Sequence, residues 1–388
     1  MSRKITVLGC LALVAAFVLV GCSSSVANPL SLQVVKIAAA GPISGQYAKI
    51  GLDAANAVRF AVDEFNASPA AVSLGIKVEV EIADDEGDPA KGMTIADRLG
   101  QENDLVAVVG PMNSSVVNAI LPIYQRAGLP MVSQAATTSD LSEQGYSVFY
   151  RICPRDDKQG PAAARFIAND LQVKQVVLVD DKGTYGQGLA EQVAGVLNDL
   201  GVATERMQIT QADRDFAPLV TLLRARQPDL VYLALSSPAQ AGIFVKQARV
   251  QGLNATFMGG EAIREEVEFV QGAEGKAEGV YITAISPDLE STNQGRQFQS
   301  AYTAKYGGTS LFTGQSYEAA KVVLAAIEQA ARQGKVDRQG VIKALQQTNY
   351  QGVLGFPIIF NAKGDLSGAS IFVEKVENGK FAPVKVLP

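Results

Sequence analysis

The stretch VAVVGPMNSSVVNAILPIYQRAGLPMVSQAATTS, from Val106 to Ser139, decides the fold. It opens on a short apolar run rich in β-branched residues, which predicts a buried parallel strand. A Gly-Pro pair ends that strand, and Asn113 or Ser114 is a candidate N-cap for a helix over 115–125. A second strand is predicted at 131–132. One helix therefore joins two strand ends, as in a parallel α/β sheet.

Small hydroxyl residues follow both of these strands. Ligands of parallel sheets bind beyond the carboxyl ends of the strands, and the free N–H groups of a helix start attract anions. We therefore expect Ser114, together with Ala135, Ala136 and Thr137, to form half of a cradle for a small charged molecule. The alternative is that Ser114 only caps the helix and that the threonines only fill a turn.

Composition limits the class of protein. A chain of 388 residues suggests two domains, and 47% hydrophobic with 19% charged residues is ordinary for a globular protein. The net charge of −5 gives no basic field for a nucleic acid. The sequence contains no histidine, which removes a Ser-His-Asp triad, a Cys-His pair and His-ligated metal sites. No phosphate-binding Gly-Lys loop is visible either. We expect no enzyme, no cofactor and no metal.

The N-terminal residues predict export. Residues 1–21 have a basic start and an apolar core too short to span a membrane comfortably, and Leu-Val-Gly-Cys22 follows. This resembles a bacterial lipobox, so we expect 1–21 to be a signal peptide, Cys22 to be lipidated and 22–33 to be a tether to the membrane surface. An ordinary signal peptide cut near Ala27, or an uncut anchor, is the alternative.

One cysteine, Cys153, would then remain in the mature fold. A single exported cysteine can pair between chains, but we expect a small buried apolar residue.

The rest of the chain predicts two doubly wound, Rossmann-like α/β lobes. Strands and helices alternate through the first lobe, assigned to 34–153 plus 285–352, and the same rhythm restarts in the second, assigned to 154–284 plus 353–388. A turn at 361–365 predicts a hairpin between the flanking strands. The lobes would be joined by a hinge of several chain crossings, with a small-molecule cleft between the strand ends.

Motifs along the chain carry a family resemblance. In order they include Gly41-Pro-Ile-Ser-Gly, Asp84-Asp-Glu-Gly-Asp-Pro, Val109-Gly-Pro with Ser114-Ser, Ala135-Ala-Thr, Asp180-Asp-Lys with Tyr185-Gly-Gln-Gly, Phe257-Met-Gly with Glu261, and Asn361-Ala-Lys-Gly-Asp. From Val34 to Phe381 the sequence resembles the type I periplasmic binding proteins of amino-acid uptake, the leucine/isoleucine/valine-binding family. The resemblance implies a hinged monomer that closes on an amino acid and presents it to the permease of an ABC importer.

The resemblance also implies residue roles in the first lobe. Ser114 matches the serine whose hydroxyl and N–H hold the ligand carboxylate. Ala135 matches the residue whose backbone carbonyl meets the ammonium. Thr137 matches the residue that directs its N–H to the carboxylate and its hydroxyl to the ammonium.

In the second lobe, Tyr185 matches the tyrosine that meets the ligand on closure, and Glu261 matches the acid that pairs with the ammonium. Phe312 falls where the family has an apolar wall. Ser236 and Ile50 stand where leucine-binding members have aromatic residues, and the family's first-lobe disulfide is absent because its positions are Gly87 and Asn113. The head group of an amino acid is therefore better supported than any particular side chain.

Two alternatives remain open from the sequence. The ligand could be an amide, urea or a small carboxylate, and the chain could be a sensor that feeds a partner receptor. Glu261 discriminates between the ligands, because a buried ammonium needs a negative partner and a neutral amide does not.

Overall fold

A computed structural model describes residues 32–387 of the protein. The order of the strands in its two sheets positions the candidate site. The signal peptide predicted at 1–21 and the lipidation predicted at Cys22 lie outside the described residues. Within 32–387, no helix is both long enough and apolar enough to cross a membrane.

The first sheet is entirely parallel. Its five strands are β1 (Gln33–Gly41), β2 (Ile76–Asp84), β3 (Leu105–Val109), β4 (Met131–Ser133) and β5 (Phe149–Arg151). Their order is β2-β1-β3-β4-β5. Helices α1 (Ala48–Asn66), α2 (Pro69–Leu74), α3 (Pro89–Gln101), α4 (Ser114–Ala127) and α5 (Asp140–Glu143) connect them. Every residue of β3 is buried, as expected for a strand covered on both faces.

The second sheet contains a further series of parallel strands. Its connecting helices are α6 (Asp156–Arg165), α7 (Thr184–Asp199), α8 (Ala217–Arg226) and α9 (Pro238–Val250). Its parallel strands are β6 (Gln175–Asp180), β7 (Ala203–Gln208), β8 (Leu230–Ala234), β9 (Thr256–Gly259) and β10 (Tyr281–Ala284). Together the two sheets confirm the predicted doubly wound α/β architecture.

The C-terminal part is shared between the sheets. It contains α10 (Asn293–Tyr306), α11 (Thr313–Arg332), α12 (Arg338–Leu345), β11 (Asn349–Gln351), β12 (Pro357–Ile359), β13 (Ile371–Glu377) and β14 (Lys380–Leu387). Side chains of α10, α11 and α12 join the core of the first sheet. Strand β13 instead pairs antiparallel with β10, and β14 pairs antiparallel with β13, which gives the second sheet the order β14-β13-β10-β9-β8-β6-β7. The chain therefore crosses between the sheets more than once.

The region around residue 360 differs from the expectation. Strand β12 pairs with β11 and β13 pairs with β10, so the predicted hairpin is reduced to a single bridge between Phe360 and Leu366. Val353 and Ile358 are buried in the core of the first sheet. We therefore propose a second-lobe boundary near residue 370 in place of 353.

A buried arginine ties β5 to the loop after β4. Arg151 is fully buried, and its guanidinium donates to Asp365 Oδ1 at 2.7 Å, to the Ala136 carbonyl at 2.9 Å and to the Thr138 carbonyl at 2.8 Å. The Thr137 carbonyl of the same loop accepts from the Asp156 N–H at 2.9 Å. Arg151 is therefore one of the groups that position the loop.

Replacing Arg151 by Ala should lower the free energy of unfolding by about 3 kcal/mol, because it leaves Asp365 and two carbonyls buried with fewer partners. Urea unfolding of the purified protein measures this loss. The control is Arg226→Ala, which breaks an exposed pair with Glu205 and should cost less than about 1 kcal/mol. Equal losses in the two variants would contradict the role given to Arg151.

Candidate functional site

The carboxyl ends of both sheets face one cleft. It has a volume of about 600 Å³, part of it open to solvent. Residues that follow strands of the first sheet line one side, and residues that follow strands of the second sheet line the other. The predicted site residues among its lining are Ser114, Ala135, Tyr185, Ser236, Glu261 and Phe312.

The first side of the cleft presents a helix start. Ser114 is the first residue of α4 and is 3% exposed, and Ser115 lies beside it in the lining. Asn113 occupies the N-cap position but makes no side-chain capping bond. The first N–H groups of an α-helix have no partner within the helix, so this end of the cleft is suited to an anion such as a carboxylate.

The loop after β4 places only part of the predicted cradle at the surface of the cleft. The hydroxyl of Ser133 donates to the Pro111 carbonyl at 2.7 Å and accepts from the Ala136 N–H at 3.0 Å, which holds the loop beside α4. Ala135 lines the cleft, whereas Ala136 and Thr137 are fully buried behind it. The role of Thr137 toward a ligand stays a prediction.

The second side of the cleft is built around a buried acid. Glu261 follows β9 and is only 2% exposed. Its Oε2 accepts from Gln159 Nε2 at 2.6 Å and from the Tyr185 hydroxyl at 2.9 Å. Burial raises the pKa of Glu261 to about 7, although these two donors favour the ionised form. Both neighbours are neutral, so the carboxylate has no cation of its own in this contact set.

A glycine is required next to this acid. A Cβ on Gly260 would lie 2.2 Å from the Tyr185 hydroxyl. Two atoms that are not bonded cannot approach so closely, so position 260 must lack a side chain. The close approach of α7 therefore explains Gly260, whereas a Cβ on Gly259 would meet the side chain of Ile263 at 2.5 Å.

Asp181 organises a second polar group on the same side. It is 2% exposed and accepts from the Ser236 N–H at 2.9 Å and from the Ser236 hydroxyl. The Ser236 hydroxyl also lies 3.1 Å from the hydroxyl of Tyr47, which comes from the first side of the cleft. The sequence analysis assigned no role to Tyr47 or Asp181. The Asp180-Asp-Lys motif is a signal that points to Asp181, whereas no pattern around Tyr47 indicates a functional residue.

The wall between the two polar ends is apolar. A small cluster there contains Tyr47, Ile50, Met112, Ala135, Cys153, Ile285, Leu311 and Phe312. Cys153 is 1% exposed, and burial raises the pKa of its thiol well above the ordinary value. Its burial agrees with the prediction of a small apolar role.

The arrangement is that of a binding site for a small molecule with two unlike ends. One end offers neutral donors to an anion, the other offers a carboxylate to a cation, and apolar side chains lie between them. Among residues 32–387, no group of three His, Cys, Asp or Glu side chains is placed to hold a metal ion.

Comparison with known proteins agrees with this geometry. The profile of a family described as periplasmic binding protein matches residues 34–380. The Leu/Ile/Val-binding protein BraC3 of Rhizobium johnstonii is 32% identical over 355 residues, which cover 91% of this chain and 94% of that protein. An amino acid binding protein of Pseudomonas aeruginosa is 32% identical over 384 residues, which cover 98% of this chain and 99% of that protein.

A solved structure shows the same architecture. The branched-chain amino acid transporter substrate binding protein LivJ of Streptococcus pneumoniae, in complex with isoleucine, matches with a TM-score of 0.81 and 26% identity. The match covers 92% of this chain and all of that one, at 100%. Because the family profile spans nearly the whole described chain and the relatives align along almost their full length, this chain belongs to the periplasmic binding protein family, in its type I branch.

Proposed function

We propose that this protein is an extracytoplasmic solute-binding lipoprotein that closes on a small α-amino acid and delivers it to an ABC permease. The observation that carries the proposal is the pairing of unlike ends across one cleft. The start of α4 at Ser114 suits a carboxylate, and the buried Glu261 suits an ammonium. A zwitterionic amino acid has both groups on one carbon.

The relatives support the amino-acid class. BraC3 is named as a Leu/Ile/Val-binding protein, and the LivJ structure holds isoleucine. The wall of this cleft is apolar around Met112, Leu311 and Phe312, which favours an aliphatic side chain. The hydroxyls of Tyr47 and Ser236 add a polar corner, so a small polar side chain is also accommodated by the lining.

Ligand contacts on both sides of the cleft drive closure. The contacts between Tyr47 and Ser236, and between Gln46 and Arg214 at 3.3 Å, join the two sides of the cleft. A ligand that touches both sides stabilises the closed arrangement by its differential affinity for that arrangement. No chemical step is needed, and the mature protein requires no cofactor for it.

A runner-up ligand class is a neutral amide, urea or a small carboxylate. Such molecules could use the donors at the start of α4, but they would leave Glu261 without a cation. Because an unpaired buried carboxylate is costly, the contacts of Glu261 favour an amino acid over these compounds.

A thermal-shift panel tests the ligand class. We expect the melting temperature to rise with one or a few aliphatic or small polar L-amino acids, since a ligand at 100 times its Kd adds about 2.7 kcal/mol to the free energy of unfolding. Urea, acetamide and acetate serve as matched fragments that lack the ammonium and should give no rise. A response to these fragments alone would replace the amino-acid proposal with the runner-up.

Glu261→Gln tests the cationic end of the site. We expect affinity for the amino acid found in the panel to fall by about 3 kcal/mol, because the buried ammonium loses its counter-charge. Isothermal titration calorimetry measures the change. Glu266→Gln is the control, because Glu266 is an exposed acid close by in sequence and should leave affinity unchanged. Wild-type affinity in Glu261→Gln would remove Glu261 from the site.

The lipid anchor is proposed from the sequence around Cys22, which lies outside the described residues. Mass spectrometry of protein extracted from membranes of an expressing bacterium should find acyl chains on Cys22 as the first residue. Cys22→Ser should release the protein from the membrane fraction, because the anchor is lost. An unmodified mature chain that begins near Ala27 would overturn this part of the proposal.

A further inference from the structure

Behind Glu261 lies a group of buried polar side chains that the cleft does not explain. We call Thr137, Thr138, Asp156 and Gln159 the inner polar cluster. All four are at most 7% exposed. Within the described part of the chain, both carboxylate oxygens of Asp156, both threonine hydroxyls and Oε1 of Gln159 lack a hydrogen bond of good geometry, although the Thr137 hydroxyl is close enough to Asp156 to lower the pKa of that carboxyl. Buried polar atoms are normally satisfied, so this concentration of exceptions at one place needs a cause.

Backbone geometry brings the inner polar cluster next to Glu261. Asp156 begins α6, and its N–H donates to the Thr137 carbonyl at 2.9 Å. Gln159 lies one helical turn later on the same face, where it donates to Glu261 Oε2 at 2.6 Å. From α7, a Cβ on Gly188 would be 3.9 Å from Asp156 Oδ2 and 4.0 Å from the Thr138 hydroxyl. Gln159 therefore connects the environments of two buried carboxyl groups.

The charges around this pair do not neutralise it. Arg151 faces Asp156 from β5, but its guanidinium already binds Asp365 and two loop carbonyls. The other titratable groups that face the pair are Asp157 on the same helix, Tyr185 on α7, Tyr232 on β8 and the thiol of Cys153. None of these is a cation. Among the groups named here, Arg151 is the one cation that faces the two buried carboxyl groups, and its guanidinium is already bound to other acceptors.

Such a pair cannot ionise fully while the cleft is empty. Burial raises the pKa of Asp156 to about 8, and the charge of Glu261 adds to this rise. Burial likewise raises the pKa of Glu261 to about 7. Interacting acids of this kind release their protons as a unit and not as independent residues. Both shifts favour retention of a proton by the pair near neutral pH.

We propose that Asp156 and Glu261 form an acid pair that holds a proton in the empty protein and releases it to solvent when the ammonium of a ligand enters the cleft. The proposal rests on the proposed function and deepens it, because it makes a protonated amine a requirement for tight binding. Glu261 is the group that contacts the ligand. Asp156 is a positioning residue that acts on Glu261 through its charge and its proton.

Exchange of a proton for an ammonium makes affinity depend on pH. For each whole proton released, affinity rises about tenfold per pH unit. The rise should extend to about pH 8, where the pair has lost its proton, and should then level off. Loss of the ligand's own ammonium opposes it at more alkaline pH.

The same pair makes the empty protein less stable as pH rises. Both carboxyl groups have a higher pKa when folded than in the unfolded chain, so the folded state binds more protons. Their contribution to the free energy of unfolding is fully present below about pH 4 and is lost as pH rises through about 7 to 8. This effect exists without any ligand.

Calorimetry with the amino acid identified by the panel tests the exchange. Titrations in phosphate and in Tris, between about pH 6 and pH 8, give the number of protons released from the dependence of heat on buffer ionisation. We expect a release close to one proton near pH 7 in the wild type and less than half of that in Asp156→Asn. Asp157→Asn is the control, because Asp157 pairs with Arg155 at the surface and should keep the wild-type release.

The outcomes separate the two proposals. Binding without proton release in the wild type, or an unchanged release in Asp156→Asn, overturns the acid pair and leaves the amino-acid proposal intact. No heat with any amino acid overturns the proposed function and the exchange with it.

A measurement on the empty protein tests the pair independently of any ligand. We expect the melting temperature of the wild type to fall between about pH 6 and pH 8, and this fall to be smaller in Asp156→Asn, whose amide imitates the protonated acid. Identical pH profiles for the wild type, Asp156→Asn and the Asp157→Asn control would overturn the proposal.

Discussion

The interaction on which the site depends is the burial of the Glu261 carboxylate among neutral donors. Gln159 and Tyr185 both donate to one of its oxygens, yet neither neutralises its charge. A carboxylate withdrawn from water is costly unless a cation meets it. The fold places this acid on the wall of an open cleft, so the missing cation can come from a ligand. Because Gly260 has no side chain, α7 can approach closely enough for the Tyr185 hydroxyl to donate to Glu261.

In the proposed function, the opposite end of the cleft meets the carboxylate of the same ligand. The start of α4 offers N–H groups with no competing charge beside them, which suits a carboxylate better than a basic side chain that could also bind other anions. Because the two ends belong to different sheets, a ligand that reaches both would hold the sides together. Direct contacts such as Tyr47 with Ser236 contribute about 1 kcal/mol each, so in the proposed function the ligand adds to a small number of weak direct contacts.

Local patterns predicted the architecture and the Ser114 end of the site, and the family resemblance supplied the other site residues. The apolar run of β3 and the helical spacing that follows it are visible in the sequence, because both arise from burial on regular elements. Ser114, Tyr185 and Glu261 were predicted at strand ends and meet at one cleft. The pairing of β11 with β12 was not predicted, because it depends on packing against α11 and not on the turn between adjacent strands.

Other parts of the site depend on contacts between distant segments. Tyr47 reaches Ser236 across 189 positions, and Gln159 reaches Glu261 across 102. No local pattern records such distances. Ala135 lines the cleft and Thr137 is fully buried, an arrangement that depends on the loop bonds of Ser133 and Arg151, while the role of Thr137 toward a ligand stays a prediction.

The inner polar cluster explains why a single acid would serve the site less well. A lone ionised Glu261 would carry its full desolvation cost whenever the cleft is empty, and a permanent cation beside it would compete with the ligand. A second carboxyl group raises the cost of ionising both, so that a proton stays bound until an ammonium replaces it. The pair is then least charged when no ligand is present and fully charged only when it is compensated. Under the proposed exchange a neutral solute would not displace the proton, so selectivity for an amine would come from the same burial that raises the pKa of the acid.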